Sequence, residues 1–232
     1  MTFLIDQPSQ TRIATLIDRA VVQVLSELAS HGNEEGITTA LGHALMQRHI
    51  NEPGLKVDFK YRQHNKCTEE KHSGADCGFF VRVKTQDLEV QKASLFQAKL
   101  LKGQIDVRRL KMSTTEANRL QDQSRKMLSF TKNAVAMFYT HKNIYVVDAN
   151  DYISNEIESK TPLSQPHRLI TLGTYLGKWM PRCTKGDTDA NFITRVQHQD
   201  GFKYGLSLDV ISQQPSVPWE QDKAEDAWRH KG

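Results

Sequence analysis

The sequence is poor in cysteine and has no long apolar run. Its 232 residues include three cysteines, Cys67, Cys77 and Cys183, and no CxxC pair. So small and odd a set argues against a disulfide framework and fits a reducing compartment. No stretch approaches the roughly 18 consecutive apolar residues of a membrane span, and no basic segment followed by an apolar core marks a signal peptide. We therefore expect a cytoplasmic protein that does not enter a membrane.

Several motifs that announce common enzyme classes are also missing. There is no P-loop and no GxGxxG, which argues against a nucleotide-binding ATPase and a Rossmann enzyme. There is no GxSxG elbow, as in α/β-hydrolases. Zinc is a weak alternative, because the spacing of Cys67, His72 and Cys77 is not that of usual zinc ligands.

Positive charge is modest overall but concentrated in the middle of the chain. The formal net charge is +4 and the pI is about 8.9, with cations clustered in 99–111 and at 125–126. Because phosphate contacts need local more than global charge, Lys102, Arg108 and Arg109 are candidate substrate-binding residues.

Hydrophobic periodicity predicts one α/β domain. Residues 1–150 form the predicted core, 151–218 extend the same domain as a candidate partner or dimer interface, and 219–232 are a polar tail. The pattern favours helices at 11–29, 34–50 and 114–133, strands at 55–63, 77–85, 93–101, 134–140 and 142–149, a short helix near 169–180 and a final hairpin within 191–211.

One constellation on these predicted strands carries chemistry. A hairpin of strands 77–85 and 93–101, turning near 88–89, brings Asp76 opposite the region of Lys99. Gln97 and Lys99, two apart on a strand, share one face. A register slip of one residue turns both to the other face.

This set of side chains suits a divalent cation. Asp76 is a candidate anchoring ligand for Mg²⁺ or Mn²⁺, with the Gln97 amide oxygen and the backbone carbonyl of Ala98 as auxiliary ligands. Lys99 is a candidate for holding an attacking water and offsetting charge on a phosphate. The simpler alternatives are that Asp76 is a turn residue and that Gln97 and Lys99 form the solvated face of an edge strand.

These residues resemble the PD-(D/E)xK nuclease superfamily in the QxK variant of Mrr-like nucleases. The resemblance covers residues 30–150 and implies a restriction-endonuclease-like fold, with a mixed central sheet flanked by helices. It also implies a metal-binding glutamate on a core helix, for which Glu35 is slightly favoured over Glu34, and a supporting role for Gln121. The motif's proline is absent, and glutamine replaces its acidic residue.

The resemblance implies an Mg²⁺-dependent endonuclease (a hydrolase) that acts on DNA in preference to RNA, as a homodimer or with a partner protein. It further implies an effector of a bacterial anti-phage defence system. Two alternatives remain open: an inactive, nuclease-like binding or scaffold subunit, and an RNA nuclease of the same fold.

Overall fold

The computed structural model describes residues 2–28, 32–63, 73–101, 112–154, 169–182, 185–198 and 202–218. The helices are α1 (Gln7–Leu28), α2 (Glu34–Met46), α3 (Thr114–Phe130), α4 (Ala149–Ser154), α5 (Leu172–Thr174), which continues as a π-helix over Tyr175–Trp179, and α6 (Ala190–His198). The strands are β1 (Thr2–Phe3), β2 (His49–Glu52), β3 (Leu55–Gln63), β4 (Cys77–Lys84), β5 (Glu89–Leu100), β6 (Ala134–Tyr139), β7 (Ile144–Asp148), β8 (Ile170–Thr171), β9 (Tyr204–Ser212) and β10 (Val217–Pro218).

Eight strands form one mixed sheet in the order β2-β3-β9-β4-β5-β6-β7-β8. Neighbours are antiparallel except for two parallel pairs, β9 with β4 and β5 with β6. The strands β1 and β10 pair separately. The expectation of an α/β protein with a mixed central sheet flanked by helices is therefore confirmed.

Helices cover both faces of the central strands. Successive side chains of a strand point to opposite faces, and in β4 Phe79 packs into the cluster that contains Ile13 of α1 and Ile37 of α2. The next residue, Phe80, packs with Met127 of α3 and Val196 of α6 on the other side. Because β6 is covered on both faces, all of its residues are buried.

The helix starts that flank the candidate site have local sequence causes. Asn33 caps α2 by accepting a hydrogen bond from the Gly36 N–H at 2.7 Å. Ser113 and Glu116 form a capping box at the start of α3. Both helices therefore begin at defined residues beside the sheet.

The C-terminal part differs from the expected hairpin. The segment 191–211 is not a hairpin: Ala190–His198 is a helix, and β9 alone enters the sheet. There it lies antiparallel to β3 and parallel to β4. The apolar residues Phe192, Ile193 and Val196 follow helical spacing and are buried. The predicted extension thus supplies a central strand of the same sheet.

Two strand boundaries also differ from expectation. The second helix ends at Met46, and His49–Glu52 pairs with β3 as an additional strand. The connection between the strands expected at 77–85 and 93–101 is shorter, because β5 already begins at Glu89 and the hairpin turns over Thr85–Leu88. The turn therefore comes about two residues earlier than expected.

Of the helices in the described parts of the chain, none is both long and apolar enough to span a lipid bilayer.

Candidate active site

The β4–β5 hairpin places Asp76 opposite Gln97, the first residue of the QxK triplet, and not opposite the region of Lys99 as expected. Since Cys77 pairs with Phe96, the residue before it lies opposite Gln97. The Asp76 N–H donates to Phe96 O at 2.9 Å, and Asp76 Oδ2 accepts from the Ala98 N–H at 3.0 Å. The aspartate thus continues the ladder just beyond the end of β4, with its carboxylate held at the QxK backbone.

The Gln97 side chain is buried, and only the nitrogen of its amide group has hydrogen-bond partners. It is 1% exposed, and its Nε2 donates to Asp76 Oδ2 at 2.5 Å and to Ala98 O at 3.1 Å. Its Oε1 is buried and has no hydrogen-bond partner among the described residues. An unpaired buried carbonyl oxygen is costly, so this oxygen calls for a ligand or a reoriented amide.

Glu34 approaches the same strand from the first turn of α2. Its Oε2 accepts from the Leu100 N–H at 3.0 Å, and its Oε1 lies 4.0 Å from Lys99 Nζ. Burial raises the pKa of the Glu34 carboxyl, while Lys99 and the Leu100 N–H oppose that rise. The Lys99 side chain is 12% exposed, so its ammonium is largely enclosed beside this carboxylate.

A hydroxyl pair anchors the start of α2 to the sheet. Thr38 Oγ1 donates to Glu34 O at 2.8 Å and lies 2.7 Å from Tyr139 Oη. Because Thr38 uses its hydrogen for Glu34, Tyr139 is the donor of the second bond. Tyr139 is fully buried in β6, so the turn that carries Glu34 is fixed to a central strand.

Glu35 has a different neighbour. Its carboxylate forms an ion pair with Lys203, immediately before β9, and its side chain is 66% exposed. Glu34 therefore reaches the QxK strand, whereas Glu35, the slightly favoured candidate for the metal-binding glutamate, lies at the rim of the cleft. This geometry favours Glu34 over Glu35 for that role, which stays a prediction. The two glutamates have different neighbours because their side chains leave the helix in directions about 100° apart.

Helix α3 forms the opposite wall through Glu116, Arg119 and Gln123. One cleft of about 430 Å³ is lined by these three and by Asn33, Glu34, Glu35, Thr38, Asp76, Gln97, Lys99, Leu100, Met112, Lys203 and Tyr204. A second groove of about 550 Å³, along α3, shares Arg119 and Gln123 and continues to Lys126.

The cleft thus brings together Asp76, Gln97, Lys99, Glu34 and Glu35. It does not include Gln121: of the two glutamines Gln121 and Gln123 on α3, the one that lines the cleft is Gln123 and not the favoured Gln121. Glu116, Arg119 and Gln123 follow one another at helical spacing, which is a signal that sequence could have supplied. Lys203, which immediately precedes β9 and lies far along the chain, has no comparable signal in the sequence.

The predicted substrate contacts Lys102, Arg108 and Arg109 lie outside the described residues, as do Cys67, His72 and Cys183 of the zinc alternative. Among the residues that the structure describes, no three His, Cys, Asp or Glu side chains cluster as a metal site.

Burial raises the pKa of the Cys77 thiol to about 12, which argues against a reactive thiolate.

The donor set beside β5 nevertheless fits a hard cation. Asp76 Oδ2 and Ala98 O both contact the Gln97 amide group, and Glu34 lies next to Lys99. Mg²⁺ takes oxygen ligands, including amide and backbone carbonyls, and keeps several waters. A half-turn of the Gln97 amide brings its unpaired Oε1 to the two other oxygens.

In comparisons of this chain with known proteins, no family model, no curated protein and no solved structure matches it significantly.

Proposed function

We propose that this chain is a metal-dependent nuclease that hydrolyses internal phosphodiester bonds of DNA in the cleft between α2, β5 and α3. A restriction-endonuclease-like fold is part of this proposal. The observation that carries it is the Gln97 amide, which is buried between two oxygens while its own carbonyl oxygen lacks a partner. A cation in place of the amide hydrogens satisfies all three oxygens.

Asp76, the Gln97 amide oxygen and Ala98 O would hold Mg²⁺ or Mn²⁺, with Glu34 as the second carboxylate. When bound, the ion neutralises the scissile phosphate and lowers the pKa of a water. Two carboxylates against one Mg²⁺ leave no excess negative charge, which suits a phosphate that is itself anionic.

Lys99 acts on the reacting groups in this proposal. Its enclosed ammonium beside Glu34 can donate to a phosphate oxygen or orient the attacking water. Hydrolysis forms one bond from the water oxygen to phosphorus and breaks one P–O bond, and the leaving oxygen takes up a proton. Charge that builds on the phosphate oxygens is then stabilised by a fixed cation in a partly dry cleft.

The shape of the surface supports a polymer as substrate. The cleft shares Arg119 and Gln123 with the groove along α3, so a chain bound in the cleft can continue toward Lys126. A path that leads away from the reacting position favours cleavage within a strand. A role in anti-phage defence, and a homodimer or partner protein, rest on the resemblance alone.

The test is cleavage of plasmid DNA and single-stranded RNA with Mg²⁺ or Mn²⁺. Wild-type protein is compared with Asp76→Ala and Lys99→Ala, which remove the anchoring carboxylate and the ammonium. The matched controls are Asp58→Ala and Lys60→Met on β3, where both side chains are exposed. We expect cutting to need metal, to fall by about 10²-fold or more in the two cleft variants, and to persist in the controls.

The polymer that is cut distinguishes a DNA nuclease from an RNA nuclease. Isothermal titration with Mn²⁺ addresses the scaffold alternative, because a nuclease-like subunit without catalysis need not bind metal. Wild-type protein that neither cuts any substrate nor binds Mn²⁺ contradicts the proposal.

A further inference from the structure

Lys203 occupies a position in the cleft that no sequence motif singles out. In the parallel β4–β9 pair, Cys77 lies beside Tyr204, and the Tyr204 N–H donates to Asp76 O at 3.0 Å. Lys203 is therefore the neighbour of Asp76 across the strands. It lines the same cleft as Gln97 and Lys99, so its ammonium belongs to the surroundings of the reacting phosphate.

The Lys203 side chain is held at the rim of the cleft. It is 22% exposed, and its Nζ lies 5.5 Å from the centre of the Tyr204 ring. Packing against the ring limits the conformations of a long side chain, so the ammonium stays near the cleft. Arg119 of α3 lines the same cleft, so Lys203 adds to a lining that already contains the cations Lys99 and Arg119.

The ion pair between Lys203 and Glu35 is easily exchanged for a pair with another anion. Glu35 is 66% exposed, and an ion pair with so exposed a carboxylate changes an equilibrium by about fivefold at most. A phosphodiester is also an anion and accepts the same charge-assisted hydrogen bonds from an ammonium. Bound substrate can therefore take the place of the Glu35 carboxylate without leaving Lys203 unpaired.

We propose that Lys203 binds a backbone phosphate adjacent to the scissile one, and that Glu35 is the carboxylate which this phosphate displaces. Glu35 then acts as an internal competitor of the substrate and not as a metal ligand. This inference rests on the proposed function and assigns the two residues opposite effects: Lys203 strengthens binding of nucleic acid, and Glu35 weakens it.

The experiment measures binding of a fluorescein-labelled single-stranded oligodeoxynucleotide by anisotropy over a series of salt concentrations. Ca²⁺ replaces Mg²⁺, since it takes the same oxygen ligands. The variants are Lys203→Met, Lys203→Arg and Glu35→Gln, with Lys60→Met as the matched exposed-lysine control. Thermal unfolding of each variant establishes that it is folded.

We expect Lys203→Met to bind about tenfold more weakly, as for loss of one charged contact. The slope of log K against log salt should fall by about 0.7, the value for one phosphate on a single strand. Lys203→Arg should restore both. Glu35→Gln should bind more tightly, by up to about fivefold, and this result stands even if Lys203→Met fails to fold.

Other results overturn the inference in distinguishable ways. If wild type binds but Lys203→Met has the same affinity and salt slope, Lys203 does not contact phosphate, and the nuclease proposal survives. If Glu35→Gln binds more weakly than wild type, Glu35 is a ligand and not a competitor. If wild type binds neither this oligodeoxynucleotide nor its duplex at any salt concentration, both the inference and the nucleic-acid substrate fail.

Discussion

At the scale of single residues, Gln97 is where the candidate site departs most from an acidic metal centre. A neutral amide can lie against Asp76 without a cation, because its N–H group donates to the carboxylate. A second carboxylate at that position would repel the first. The glutamine therefore lowers the electrostatic cost of the site in the absence of a cation and makes the site less negative when a cation binds.

Replacing Gln97 with glutamate should make stability depend on metal. Without Mg²⁺, Gln97→Glu should unfold more readily, by up to about 4 kcal/mol, which is the cost of keeping a glutamate protonated at pH 7. Mg²⁺ should recover much of that loss, since a cation relieves the repulsion. Thermal unfolding in EDTA measures the loss of stability, and thermal unfolding in Mg²⁺ measures its recovery. Gln97→Met is the control, because it adds no carboxylate for Mg²⁺ to relieve. A Gln97→Glu protein equally destabilised in both buffers argues against a metal at this position.

Glu34 should lower stability at neutral pH. Its folded-state pKa is raised above the ordinary 4.5, chiefly by burial, so ionising it costs the folded state more than the unfolded one. The penalty is absent below pH 4.5 and grows as pH rises through the folded-state pKa. We expect Glu34→Gln, whose amide oxygen can still accept from Leu100, to have a higher Tm than wild type at pH 7.

The same variant should lose metal-dependent cleavage, because an amide replaces the second carboxylate. Melting curves at pH 4 and pH 7 check the predicted sign of the Tm difference between Glu34→Gln and wild type. This difference should disappear at pH 4. A Glu34→Gln protein less stable than wild type at pH 7 would mean that attraction to Lys99 outweighs burial.

At the scale of elements, the approach to β4 depends on a close contact with α3. Gly74 has φ +71°, and a Cβ there would lie 2.7 Å from Gln123 O. Gly74→Ala therefore adds a clash with helix backbone to the left-handed strain of about 1–2 kcal/mol. It should displace Asp76 or Gln123 and reduce both stability and activity.

Gly54 provides the matched control. Its φ is +89°, but a Cβ there meets nothing within 4 Å, so Gly54→Ala carries the strain alone and leaves the cleft unchanged. Chemical denaturation of the two variants isolates the contribution of the contact. Equal losses of stability in both would show that α3 yields to the added methyl group.

Lys92 joins β5 to the segment after the π-helix. Only 2% exposed, it donates to Met180 O and Lys185 O at 3.0 Å each and to Arg182 O. Lys92→Met should leave these carbonyls short of a donor and cost about 3 kcal/mol or more. Denaturant unfolding should record this loss. Lys60→Met, which replaces an exposed side chain on β3, should change stability by less than about 0.5 kcal/mol.

Lys92 also shows why sequence was less informative here. Six of the eight residues in 85–92 are polar, and a lysine that is buried because it binds distant carbonyls has no strand signal in the sequence. The core strands, by contrast, were predictable because their apolar residues follow local patterns. β9 was read as half of a hairpin, since nothing local specifies pairing with β3 and β4. Alternation predicted the shared face of Gln97 and Lys99, but not the register: Asp76 lies opposite Gln97 and not opposite the region of Lys99, because the hairpin turns earlier than expected. Choosing between Glu34 and Glu35 required knowing which wall each faces.

At the scale of the whole molecule, β9 holds the two halves of the sheet together. It separates the β2–β3 hairpin from the β4–β5 hairpin and pairs with both along its length. A chain ending at Phe202 should therefore lose cooperative unfolding, because β3 and β4 would each expose an unpaired edge. A chain ending at Pro218, which keeps every described strand, should retain it. Calorimetry of the two truncated proteins checks this, and a cooperative transition in the shorter one would contradict it.

The position of β9 has a consequence for the order in which the chain leaves a ribosome. The hairpin that carries Asp76, Gln97 and Lys99 is synthesised well before the strand on which Asp76 O finds the Tyr204 N–H. Until that strand emerges, the hairpin has an open edge and the cleft lacks one wall. A nascent chain therefore cannot complete the cleft before Tyr204 has left the ribosome, so any activity of the cleft must await synthesis of β9 and not merely that of the hairpin.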